Sequence, residues 1–129
     1  MAKKRLRRPT DGELAILRVL WVRGPSTVRQ VNRVLNETAP TGYTTTLKQM
    51  QVMHAKGLLA RDESTRPQVY RPAASKDRTQ RQLVEHLIEG AFGGSARRLV
   101  MQALRSRDIS PDELARVERL LDNLEGDEE

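Results

Sequence analysis

Two short helices with well-marked starts are predicted in the first 40 residues. Thr10 with Glu13, and Thr27 with Gln30, have the spacing of a capping box, in which each side chain bonds a free backbone N–H group of the other residue. Apolar residues follow both boxes at helical spacing. A Gly-Pro pair ends the first helix, and a polar stretch closing in proline ends the second. The chain is therefore predicted to begin as two short helices joined by a tight connection.

A third helix and a basic hairpin are predicted next. The helix runs from about Tyr43 to Lys56, has an apolar edge at helical spacing, and is followed by Gly57 as its C-terminal cap. Residues 58–63 and 68–72 have the composition of two short strands around a polar turn. The hairpin is basic through Arg61, Arg66 and Arg71.

Three helices followed by a basic hairpin is the element order of a winged helix, in which the third helix enters the DNA major groove and the hairpin wing lies along the phosphates. Thr44, Thr45 and Thr46 give the third helix the short polar start that close approach to base edges requires, and Lys48 adds reach. Two alternatives stay open: the threonines only start the helix, and the hairpin arginines only guard a sheet edge against aggregation.

The predicted DNA-contacting residues fall into two groups. Base reading is assigned to Thr44, Thr45, Lys48, Gln49 and Val52. Phosphate contact is assigned to Thr27, Tyr43, Thr46, Lys56, Arg61, Arg66 and Arg71.

The distribution of charge agrees with a polyanion-binding N-terminal part. Residues 1–74 hold 14 Lys/Arg and 5 Asp/Glu, which gives this part a net charge of +9. Residues 75–129 hold 9 basic and 12 acidic residues, a net charge of −3, so the total of +6 is unevenly distributed along the chain. Residues 1–9 form a basic arm, either a solvated tail or a segment that enters the minor groove.

Three further amphipathic helices are predicted after the hairpin, with Ser75, Ser95 and Ser110 at their starts and Gly93-Gly94 separating the first two. Because the winged helix is already complete, we expect their apolar surface to hold two copies of the chain together. The residues assigned to this interface are Leu83, Leu87, Ile88, Phe92, Leu99, Leu114, Val117, Leu121 and Leu124.

The predicted fold class is mainly α: a winged helix (three helices plus a two-stranded β-hairpin wing) followed by a C-terminal helical dimerisation region. The predicted parts are a basic flexible arm at 1–9, a winged-helix DNA-binding domain at 10–74, a helical dimerisation region at 75–125 and an acidic tail at 126–129.

Several classes of function are excluded by what the chain lacks. It has no cysteine, so disulfides, thiolate metal sites and cysteine nucleophiles are ruled out, and His54 and His86 fall on different predicted helices. No catalytic motif is present, so we expect no enzyme activity, no metal and no cofactor. No apolar run reaches the ~18 residues of a membrane span, and the N-terminus lacks the apolar core of a signal peptide, so no membrane insertion and a cytoplasmic location are expected.

Four stretches, covering about residues 10–124, carry a recognisable pattern. They are LWVRGPSTVRQVNRVLNE, the segment from GYTTTLKQ to QRQLV, AFGGSARRLVMQAL and ISPDELARVERLLDNL. The most specific parts of this pattern are Tyr43–Thr46, Lys56–Leu58 and Phe92–Ser95. The chain closely resembles the penicillinase-repressor family of bacterial transcription regulators. The resemblance implies a dimeric winged-helix repressor that binds a two-fold-symmetric DNA operator, with dimerisation through the C-terminal helices.

The chain departs from this family at two points. Val52 stands where many members have arginine late in the third helix, so it would contact a thymine methyl group instead of donating to guanine. The cysteine motif of copper-responsive relatives is absent, which excludes thiol-based copper sensing.

Some members of the family are inactivated when a membrane sensor protease triggers cleavage in the dimerisation region. The resemblance places that region near Gln102-Ala103, although residues 99–104 are equally consistent with an ordinary packed helix. Alternatives to an operator-specific repressor are a winged-helix protein-interaction module and a non-specific DNA-binding protein.

Overall fold

The computed structural model describes residues 8–127, and it confirms the predicted mainly helical fold, with three helices and a two-stranded hairpin followed by further helices. Most of the predicted basic arm therefore lies outside the described residues, as do the last two residues of the predicted acidic tail. The elements are α1 (Asp11–Arg23), α2 (Val28–Leu35), α3 (Tyr43–Ala55), β1 (Leu59–Asp62), β2 (Val69–Pro72), α4 (Lys76–Ala91), α5 (Ala96–Arg105) and α6 (Pro111–Asp127).

Both predicted capping boxes form. The backbone N–H of Thr10 donates to Glu13 Oε1 at 2.9 Å, and the N–H of Glu13 donates to Thr10 Oγ1 at 3.2 Å. Thr27 and Gln30 repeat this exchange at 2.9 and 3.2 Å. A capping side chain typically contributes about 1 kcal/mol of stability, so α1 and α2 begin at residues set by their own sequences.

One apolar core joins the first three helices to the hairpin. Each helix supplies the side chains on one face, and the hairpin supplies one residue from each strand. Burial of an aliphatic side chain of this size contributes about 1.5–3 kcal/mol. The buried members are Ile16, Leu17, Val19, Leu20, Val28, Val31, Met50, Met53, Leu59 and Tyr70.

The hairpin is attached to the helices through its second strand. β1 and β2 pair antiparallel, with Leu59 opposite Pro72 and Asp62 opposite Val69. Ser26, in the connection between α1 and α2, forms a further bridge: its N–H donates to Tyr70 O at 3.0 Å, and Tyr70 N–H donates to Ser26 O at 2.8 Å. The wing therefore has backbone hydrogen bonds to the helical part as well as side-chain packing.

The described residues divide into two compact units, with the division between Arg81 and Gln82 inside α4. In the second unit, Arg97 on α5 pairs with Glu118 at 3.1 Å and Asp122 at 2.9 Å on α6. Within residues 8–127, every helix is too short or too polar to cross a lipid bilayer.

Much apolar surface of the second unit is exposed in the single chain. α4 has no buried residue, and the only buried hydrophobic residue described beyond the division is Met101. Seven of the nine predicted interface residues are half-buried. One of them, Phe92, lies at the break between α4 and α5. The exposed large apolar side chains here are Val84, Leu87, Val100, Leu120 and Leu124.

Candidate nucleic-acid interface

The exposed face of α3 carries four of the five predicted base-reading residues. Thr44, Thr45, Lys48 and Val52 are all exposed, and their spacing places them along one side of the helix. The opposite side points into the core through Thr46, Met50 and Met53. The sequence pattern thus identified a continuous, mainly polar surface on this helix.

Gln49, the fifth predicted base-reading residue, is held differently. Its side chain is half-buried and lies against α1, where a Cβ atom built on Gly12 would be only 2.6 Å from Gln49 Nε2. The absence of a side chain at position 12 is what allows this close approach. Gln49 therefore borders the exposed face instead of projecting from its centre.

The threonines at the start of α3 do not cap it. The N-cap residue is Gly42, in an extended conformation, and no side chain bonds to the free N–H groups of the first turn. The alternative in which the threonines form a capping cluster that starts the helix is therefore wrong. Thr44 and Thr45 are free to contact other molecules.

The predicted phosphate contact of Thr46 is wrong, because this residue is buried. Its relative exposure is 0%, and its hydroxyl oxygen accepts a hydrogen bond from Asn32 Nδ2 at 2.9 Å. The side chain has no surface left for a phosphate. Its neighbours Thr44 and Thr45 have the same side chain but are exposed, because the helix turns them to the solvent.

Two asparagines that the sequence analysis did not single out connect α2 to α3. Asn32 Nδ2 also donates to Thr41 O at 2.9 Å, and Asn36 Nδ2 donates to the same oxygen at 2.8 Å. The N–H of Thr41 in turn donates to Asn36 Oδ1 at 3.0 Å. In the sequence, this contact is indicated only by two asparagines one helical turn apart at the end of α2, because asparagine side chains readily form hydrogen bonds with the backbone of turns.

A basic cleft of about 590 Å³ lies between α2, α3 and the hairpin. The Arg29 guanidinium carbon sits 4.9 Å from the centre of the Tyr43 ring, a cation–π contact that holds the arginine at the cleft wall. Arg33 lies one helical turn further along α2. Among the residues the structure describes, those lining the cleft include no carboxylate. The polar lining consists of Thr27, Arg29, Gln30, Arg33, Tyr43, Gln51 and Gln68.

The hairpin arginines are not equivalent. Arg61 Nε and Nη2 donate to Glu63 Oε2 at 3.0 and 2.6 Å, and its side chain is only 21% exposed. The hydrogen bond and positive charge of Arg61 lower the pKa of Glu63. Arg66 and Arg71 are exposed. The guanidinium of Arg61 is thus engaged within the wing, whereas the other two arginines face solvent.

Lys56, another predicted phosphate contact, forms an ion pair with α1. Its Nζ lies 2.6 Å from Oε2 of Glu13, whose side chain is 5% exposed. Burial alone would raise the pKa of Glu13, but hydrogen bonds from Lys56 and from the Thr10 backbone outweigh it, so the pKa lies below its ordinary value. Lys56 therefore neutralises a buried carboxylate and ties the end of α3 to the start of α1.

This ion pair predicts an acid-dependent loss of stability. Because the pKa of Glu13 is lowered by folding, its stabilising contribution is present above the ordinary carboxyl range and is lost as pH falls through the lowered value. We expect Glu13→Gln to cost about 1–3 kcal/mol at neutral pH, since it removes a charge-assisted hydrogen bond, and to cost less at about pH 3. Urea unfolding at both pH values and one protomer concentration measures this. Exposed Glu37→Gln is the matched control, and an equal cost of Glu13→Gln at both pH values would contradict the assignment.

Comparison with models of protein families gives a match. The model of the penicillinase repressor family matches residues 9–123, which is nearly the whole chain and includes α1 to α5 and most of α6. A search of curated proteins gives no match. The matched segment contains the exposed α3 face, the basic cleft and the wing. From its sequence and its fold, the chain belongs to the penicillinase repressor family.

Proposed function

We propose that the protein is a homodimeric transcriptional repressor that places α3 in the major groove of a two-fold-symmetric operator. The observation that carries this proposal is the exposed, mainly polar face of α3 beside a cleft lined by arginine and free of carboxylates. Membership of a repressor family, whose members regulate transcription and are not enzymes, supports it. The protein acts on double-stranded DNA in the cytoplasm.

In this proposal, base edges are contacted by Thr44, Thr45, Lys48 and Val52. Threonine hydroxyls suit several bases, lysine donates to guanine, and the Val52 side chain offers an apolar surface to a thymine methyl group. The uncapped first turn of α3 supports the same placement, because its free N–H groups can bond a phosphate beside the groove.

Phosphate contacts are assigned to arginines of two elements: Arg29 and Arg33 on α2, which line the cleft, and Arg66 and Arg71 on the wing, which are exposed. Thr27 and Tyr43 line the same cleft as the α2 arginines. Arginine suits this role because its planar guanidinium can bond two phosphate oxygens at once. Lys56 and Arg61 contribute less to phosphate binding, since each already pairs with a carboxylate that offsets its charge.

The second unit forms the dimer. Its leucines Leu87, Leu120 and Leu124 are exposed in the single chain, and a two-fold dimer would bury the same patch on both copies. Such a dimer would present two α3 helices about one DNA turn (~34 Å) or a multiple apart. Repression would be relieved by separating the copies.

Cleavage near Gln102-Ala103, triggered by a membrane sensor protease, is one route to that separation. Both residues are exposed, but they lie inside α5, and Ser106 N–H donates to Gln102 O at 3.2 Å. A protease therefore has to open the last turns of α5 before it can bind the chain in an extended form.

The base and phosphate assignments predict different outcomes for two substitutions. After selection of an operator from random DNA, Lys48→Ala should weaken operator binding by about 1–3 kcal/mol and relax the preference at one base pair. Arg66→Ala should weaken binding to all DNA about equally and reduce the slope of log affinity against log salt by about 1.

Fluorescence anisotropy over a salt series, on operator and on unrelated duplex, measures both effects. If Lys48→Ala bound the operator as tightly as the wild type, α3 would not be the reading helix. A selection that enriches no sequence would favour non-specific DNA binding instead.

A further inference from the structure

We infer that Asn32, a half-buried residue of α2, is a positioning residue that sets sequence specificity through Thr46. The inference rests on the proposed placement of α3 in the major groove. Asn32 would hold that helix at the correct depth and angle in the groove, whereas other residues contact the DNA.

Asn32 uses its side-chain amide group to join two separate parts of the chain. Its Nδ2 carries two hydrogens, and it donates to Thr41 O and to Thr46 Oγ1, both at 2.9 Å. The first acceptor lies in the connection before α3, and the second lies within the first turns of α3 itself. One side chain of α2 thus sets the position of the helix start relative to the connection that leads into it.

The local structure makes α3 depend on this contact. α1 and α2 begin with capping boxes formed by their own residues, whereas Gly42 at the start of α3 contributes no side-chain bond. Thr46 is fully buried, so water cannot replace Asn32 as a partner of its hydroxyl. Asn36 reinforces the arrangement by donating to Thr41 O and accepting from Thr41 N–H.

Base reading and phosphate binding differ in how much displacement they tolerate. Hydrogen bonds to base edges weaken steeply once distance and angle depart from a narrow range. Attraction between arginine and the phosphate backbone is long-range and independent of sequence. A small shift of α3 should therefore reduce affinity for the operator while leaving affinity for unrelated DNA unchanged.

The test compares Thr46→Val and Asn32→Leu with the wild-type full-length protein on its selected operator and on an unrelated duplex. Thr46→Val keeps the side-chain shape and replaces the hydroxyl that accepts from Asn32 with a methyl group. Thr38→Val, at an exposed threonine between α2 and α3, is the matched control. We expect each test variant to lose about tenfold or more in operator affinity, with unchanged affinity for the unrelated duplex and an unchanged salt slope. The double variant should lose no more than Asn32→Leu alone, because the two residues share one contact.

Circular dichroism and thermal unfolding establish that each variant is folded. If Asn32→Leu does not fold, Thr46→Val carries the test, since it changes one hydroxyl to a methyl group. The inference is overturned if both variants retain wild-type operator affinity, or if operator and unrelated DNA are weakened equally. A wild-type protein that prefers no sequence would instead overturn the proposed function, so the two failures are distinguishable.

Discussion

A protein carrying Leu120→Glu and Leu124→Glu should be monomeric and should bind a full operator about 10²–10⁴-fold more weakly than the wild type. The two leucines lie one turn apart on α6 and are 62% and 61% exposed in the single chain, so charges there do not disturb its packing. In a dimer they would place four carboxylates in an apolar interface. The loss in affinity is large because the second half-site is then no longer held at high effective concentration.

Sedimentation velocity and operator binding at the same protomer concentrations measure both parts of this result. Asn123→Glu adds a charge to the same helix without removing an apolar side chain, and it should leave the dimer intact. Binding to a single half-site should be nearly equal for all three proteins. A wild-type chain that is monomeric at micromolar concentration, with and without DNA, would contradict the dimer.

Tyr70→Ala should lower the free energy of unfolding by about 3–5 kcal/mol, the range for removal of a large buried aromatic side chain. Tyr70 is 2% exposed, packs in the shared core, and meets the His54 ring edge-on with centroids 6.4 Å apart. Its backbone also forms the bridge to Ser26, so the cavity lies where the wing joins the helices.

Tyr70→Phe is the matched control for this substitution. It removes only the hydroxyl, which accepts a weak 3.4 Å hydrogen bond from Arg61 Nη1, so we expect a cost below about 1.5 kcal/mol. Urea unfolding followed by circular dichroism measures both costs. Equal costs for the two variants would mean that the ring contributes little to the core.

Features that depend on neighbouring residues in the chain were predicted closely from sequence. Both capping boxes form, and the hairpin strands, expected at 58–63 and 68–72, are observed at Leu59–Asp62 and Val69–Pro72. Such signals succeed because the bonding groups lie within one helical turn or one hairpin of each other. The exposed face of α3 followed from helical spacing for the same reason.

Side-chain partners distant in sequence could not be predicted. Glu13 is 43 residues from Lys56, and nothing near either residue indicates that they meet. The apolar stripe of α2 does not single out Arg29 or Arg33, and the contact of Arg29 with Tyr43 depends on how α2 packs against α3. The burial of Thr46 could not be predicted either, because its exposed neighbours Thr44 and Thr45 are chemically identical to it.

The uncapped start of α3 has a consequence for how a repressor of this kind can change its target in evolution. A helix that begins with its own serine or threonine cap would need to keep that residue at its tip, where the proposed placement in the groove brings DNA closest. Here the start of α3 is held by Asn32 on α2 and by Asn36, which follows α2. Thr44 and Thr45 form no capping bond, so substitutions there should alter the preferred DNA sequence of such a repressor without the cost of losing a helix cap.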